Sequence, residues 1–253
     1  MRRMRLGGLI GLVTLWAGGL LCATSSQAGR PLATQDAGTV GVGRFELELG
    51  GAYTRERNDD RAVDTGFVLA FGSSSRSQVE VEVPFAFLRP AEGMNAEGFG
   101  DVELRGKYRF FDEAPLWPAP GLMLTLKSPT GSERRGLGTG TTDVALTALA
   151  TKTLGPLVAH LNLSYTFNGT SEEDNVFGYA FALELPVTGR FKLVSELVGE
   201  THADPAAQAD PLVVLFGATF ELKNGVILDS ALNLGLTNAS PDYQVLVGVT
   251  VSF

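Results

Sequence analysis

The chain has 253 residues, a formal net charge of −8, and an apolar content of 44%. The acidic balance excludes a nucleic-acid-binding face and a basic lipid-headgroup patch, both of which need clustered positive charge. A single cysteine, Cys22, excludes a disulfide framework, and the length suits one domain.

The N-terminus reads as a secretory signal. Arg2, Arg3 and Arg5 form a basic region, Leu6 to Leu21 an apolar one, and Ser26-Gln27-Ala28 a cleavage pattern, so cleavage is expected after Ala28. Cys22 invites a lipoprotein reading, but Leu21 before it is too large for the usual motif. Processing would remove three arginines and the cysteine, taking the net charge to about −11. Residues 1–28 are thus expected to be the signal and 29–253 the mature domain.

Beyond the signal no apolar run is long enough for a membrane helix, and period-two alternation takes over. Strands are expected at 44–54, 62–72, 78–88, 101–111, 121–127, 142–152, 157–168, 177–187, 191–200, 212–222, 226–237 and 243–253. In the third, Val79, Val81, Val83, Phe85 and Phe87 alternate with Gln78, Glu80 and Glu82. In the last, Tyr243, Val245, Val247, Val249, Val251 and Phe253 share one face. Side chains alternate across a strand, so each segment carries one apolar and one polar face.

The connections alternate in length. Short turns, including Asn224-Gly225, follow the even strands, with a somewhat longer segment, 112–120, after the fourth. The longer and more charged segments 55–61, 89–100, 128–141, 169–176 and 201–211 follow the odd ones, and the last of this set, 238–242, is short. An even count of long strands with alternating loop lengths implies an all-β, transmembrane antiparallel β-barrel of about twelve strands, with both termini in the periplasm of a Gram-negative cell. A periplasmic sandwich would share the two-faced strands but not the loop alternation. The terminal strand ending on Phe253 resembles the insertion signal of outer-membrane barrels. This implies the barrel assembly machinery and outer-membrane lipid as partners.

On this reading the polar faces line a lumen. The candidates are Glu46, Glu48, Asp64, Glu80, Glu82, Asp101, Glu103, Asp143, Glu184, Glu196, Glu221 and Asp229, the cations Arg105, Lys107, Arg109, Lys127 and Lys192, and the polar pair His160 and Asn162. Such residues either set ion preference or cross the lumen as ion pairs that hold the barrel closed. Ser164 shares a face with His160, but residues four apart on a strand do not make a nucleophile–base pair, so no catalytic residue is assigned. With two histidines and no mature cysteine, no metal site or cofactor is expected. Pro84 and Pro186 fall inside expected strands, where they imply a bulge, a strand end or a kink opening the wall sideways.

Several segments carry a family resemblance: Gly98-Phe99-Gly100-Asp101, Lys107-Tyr108-Arg109-Phe110, Ser128-Pro129-Thr130-Gly131, Gly136-Leu137-Gly138-Thr139-Gly140, Asp143, Leu161 to Thr166 and Ser195-Glu196-Leu197. Together they resemble the outer-membrane family named for the meta-pathway of phenol degradation. That resemblance implies a porin-like transporter passing small organic, including aromatic, compounds without a plug domain. The alternatives are a barrel-embedded lipid hydrolase and a structural outer-membrane protein with a sealed lumen.

Overall fold

The computed structural model describes residues 29–253, so the expected signal segment and its cleavage lie outside the described residues. Thirteen strands are found among them: β1 (Phe45–Arg55), β2 (Arg61–Gly72), β3 (Ser77–Arg89), β4 (Ala96–Phe99), β5 (Val102–Arg109), β6 (Ala119–Ser128) and β7 (Asp143–Leu154). They continue with β8 (Leu157–Phe167), β9 (Val176–Pro186), β10 (Phe191–Glu200), β11 (Leu212–Lys223), β12 (Val226–Gly235) and β13 (Tyr243–Ser252). The boundaries lie within a residue or two of the expected ones, except in the fourth strand.

Every neighbour in the sheet is antiparallel, and the ring closes where β1 pairs with β13, from Glu46↔Ser252 to Arg55↔Tyr243. The seam is completed by reciprocal backbone hydrogen bonds of 2.9 Å between Phe45 and Phe253. Closure joins the first and last strands, as a lipid environment requires, and among the described residues only the short β4, which pairs with β3 alone, keeps one side without a strand partner. Strands of about ten residues at roughly 3.3 Å each cross a bilayer core when tilted.

β4 and β5 together fill one place in the ring, giving twelve staves. Both pair with β3, but from Phe85↔Phe99 to Glu82↔Glu103 β3 moves three residues while its partner moves four. That extra residue, at Gly100-Asp101, is a β-bulge. Pro84 sits opposite it, and its carbonyl accepts the Gly100 N–H at 3.0 Å. On its other side Pro84 pairs with Gly66 in an unbroken β2–β3 register. Pro186 lies at the end of β9, paired with Lys192.

The chemistry is inverted relative to a water-soluble domain. Large apolar side chains such as Phe67, Leu124, Phe181, Phe216 and Val247 stand exposed on the outer wall. Carboxylates and cations from the alternate positions are buried inside. An apolar exterior against lipid and a polar interior are what a transmembrane barrel demands.

Candidate functional site: a strapped lumen

Residues 29–42 have no strand periodicity, and the fold places them inside the ring. They form a strap that winds along the inner wall from β12 and β13 round to β2. At one end, the Arg30 guanidinium donates to the Asp229 carboxylate at 3.3 and 3.4 Å and to the Val247 carbonyl at 2.7 Å. Glycines make its seat: a Cβ at Gly50 or Gly248, which face each other across β1 and β13, would overlap the guanidinium.

Further along, one carboxylate of Glu196 accepts the N–H groups of Ala33, at 3.0 Å, and of Thr34. Asn162 pairs with the Gln35 backbone in both directions, at 2.7 and 2.8 Å. Lys107 reaches the Asp36 carboxylate at 3.1 Å, Thr151 accepts the Ala37 N–H at 2.9 Å, and Gln78 accepts the Val40 N–H at 2.8 Å. Val42 then bridges to Gly72 at one rim of the barrel, and the chain enters β1. Inward-pointing wall side chains thus act as the hydrogen-bond partners that a neighbouring strand would otherwise supply.

Apolar contacts fill the remainder. Leu32 is fully buried among Ala182, Val194, Leu215 and Ala231, and Ala37 among Ala119, Met123 and Leu149. Burying one leucine in this way contributes about 1.5–3 kcal/mol.

The residues expected to line a lumen occupy alternate positions of their strands. Glu46, Glu48, Asp64, Glu80, Asp101, Glu103, Arg105, Lys107, Asp143, His160, Asn162, Glu184, Glu196 and Asp229 are buried. Glu82, Arg109, Lys127, Lys192 and Glu221 are half-buried. They gather into clusters rather than rings. Arg105 is held by Glu80 at 3.6 Å, Glu103 at 2.9 Å and Glu82. Lys127 pairs with Asp143, and Lys192 with Glu184 at 2.8 Å. Glu221 stands on β11 beside a register shift, across the ring from the β3–β5 cluster. His160 bonds Thr151 at 3.0 Å through Nδ1 and faces Glu184 at 3.6 Å, and no hydrogen bond joins it to Ser164 among the described residues.

Asp101 has a different task from the other acids. Its carboxylate accepts the N–H of Gly131 and the N–H of Thr139, each at 2.8 Å, and the Thr139 hydroxyl at 3.2 Å. Thr130 Oγ1 accepts the Val102 N–H at 2.8 Å and donates to the Gly100 carbonyl at 3.1 Å. The separate glycine-rich segments of the sequence therefore meet at one knot. It ties the outer loop 129–142 to the bulge between β4 and β5.

Two cavities flank the strap. One of about 80 Å³ lies between Arg30, Ala33 and the wall at Gly66 and Pro84. The other, about 210 Å³, lies at the outer mouth. Glu103, Arg105, Lys127 and Asp143 line one side, hydroxyls of β6, β7 and β8 another, and Glu173, His202 and Pro211 of the outer loops the rim.

A closed antiparallel ring with an apolar exterior and a charged interior is an outer-membrane β-barrel. Within that class the chain belongs to the family described as "Putative MetA-pathway of phenol degradation", whose profile matches residues 28–253. No curated protein matches. Among solved structures it is similar to the COG4313 outer membrane channel from Pseudomonas putida F1, with 18% identity, TM-score 0.70, and 86% of this chain and 98% of that one covered. It is also similar to the NanC porin (10% identity, TM-score 0.60, 81% and 98% covered). A third is the KdgM porin in complex with disordered oligogalacturonate (9%, 0.57, 81% and 99%).

Proposed function

We propose that the protein is an outer-membrane channel for passive passage of small organic molecules, including aromatic ones, and that its own N-terminal strap narrows the lumen. The observation that carries this reading is the way the strap is held. Besides the ion pairs of Arg30 with Asp229 and Lys107 with Asp36, it meets the wall through hydrogen bonds to side chains and two small apolar contacts, which can be exchanged with solvent or solute without opening the ring. The interior polar groups favour a hydrated path over a sealed core, and the family description and the channel and porin names of similar barrels agree with it. Carboxylates outnumber cations along the lumen, so the path prefers cations. The separation of Ser164 from His160 weighs against the hydrolase alternative.

Removal of the signal after Ala28 is part of this reading, on the strength of the basic region, the apolar run and the cleavage pattern. The seam at Phe45 and Phe253 suits closure by the assembly machinery acting on β13. Liposome swelling tests the main reading. Neutral aromatic and small polar solutes enter vesicles holding the protein faster than empty ones. Swelling equal to that of empty vesicles contradicts it.

A further inference from the structure

The outer cavity is more than a widening of the path. At about 210 Å³ it exceeds the roughly 150 Å³ that accepts benzene, so a molecule of one ring fits. Its two cations are committed: Arg105 to three carboxylates and Lys127 to Asp143. His202 accepts the Asp204 N–H through Nδ1 at 3.0 Å. Glu173 and Glu200 face the same space without an ion-pair partner among the described residues.

Hydroxyls complete the lining. Thr125 on β6 and Thr147 on β7 are only 9% and 7% exposed, yet their hydroxyl groups face the cavity without a hydrogen-bond partner among the described residues. Ser164 and Thr166 continue the row on β8. These hydroxyls are open to hydrogen-bond a ligand that enters the cavity. Met123, Ala145, Val176 and Ala203 provide an apolar side.

We propose that this cavity is a binding station for a small primary ammonium carrying a compact apolar body, in the manner of a one-ring arylalkylamine. The ammonium has three donors and no acceptor. Glu200 supplies the counter-charge, Thr147 and Ser164 accept the remaining donors, and the ring lies against Met123 and Val176. An anion meets uncompensated carboxylates here, and a neutral alcohol leaves Glu200 without a partner. The proposal deepens the channel reading and rests on it for the route by which solute arrives.

Benzylamine, which is protonated at neutral pH, is the probe, with benzyl alcohol and benzoate as controls. Ligand-observed NMR titration of the detergent-solubilised full chain is expected to show saturable benzylamine binding. The controls bind about tenfold more weakly or not at all. Glu200→Gln weakens benzylamine about tenfold, and Thr147→Val weakens it to a smaller degree, while neither moves the controls. Equal binding of the three probes, or a Glu200→Gln variant that binds benzylamine like the wild type, overturns the proposal. Salt conductance in a planar bilayer is recorded alongside. Conductance without selective binding ends the station and spares the channel. Selective binding without conductance ends the channel reading and spares the station.

Discussion

Glu196 is one of the main holds on the strap. It accepts two consecutive backbone N–H groups, Ala33 and Thr34, in a buried setting. Removing it leaves both unsatisfied at a cost of about 1–3 kcal/mol each. In the Glu196→Ala protein the strap is therefore expected to leave its seat often. A cysteine placed at Thr34 reports this, since residues 29–253 hold no other: thiol labelling speeds up at least about tenfold over the same cysteine with Glu196 intact. Gly248→Val acts from the other end, because its side chain takes the space of the Arg30 guanidinium, and the same labelling assay is expected to accelerate.

A pH effect belongs to the outer rim. Burial, reinforced by the charge of Asp60 and partly offset by Arg57, pushes the Glu56 carboxyl up to about 6. A raised carboxyl favours the folded loop while protonated. That contribution is full below the ordinary value near 4.5 and is lost as the pH rises through about 6. Amide protection of Asp59, whose N–H bonds the Glu56 carbonyl at 3.2 Å, should fall between pH 4.5 and 7.5. Glu56→Gln should hold it level across that range. The inward acids were readable from the sequence because the strand period alone assigns their face. The glycine seat was not, since a missing side chain shows only against the group that fills its place.

At the scale of elements, the knot at Asp101 fixes the longest outer loop. Asp101→Ala removes three charge-assisted hydrogen bonds, each of about 1.5–3 kcal/mol. Trypsin should then cut the loop at Arg134 or Arg135 while the barrel stays folded, as judged by its resistance to unfolding in detergent on a gel. Unchanged protection would mean that other contacts hold the loop. The strands themselves were legible almost to the residue, because lipid outside and charge inside enforce strict alternation. The bulge was hidden by the same rule. Asp101 and Val102 continue a clean alternation into β5, and only pairing with β3 reveals that the phase slips at Gly100.

At the scale of the whole molecule, the barrel is a polar-lined ring occupied by its own N-terminal strap. The strap escaped the sequence reading for a physical reason. It belongs to no sheet and has no period, and its partners come from eight or more strands far away in the chain. Its lone charges, Arg30 and Asp36, in an otherwise small and uncharged stretch were the available sign of an internal seat. The most direct test is single-channel recording in a KCl gradient, comparing the wild type with Glu196→Ala. A small conductance with a cation-preferring reversal potential, rising several-fold when Glu196 is replaced, is the predicted result. An insulating protein, an anion preference, or a conductance indifferent to Glu196 would contradict a strap-narrowed, acid-lined channel.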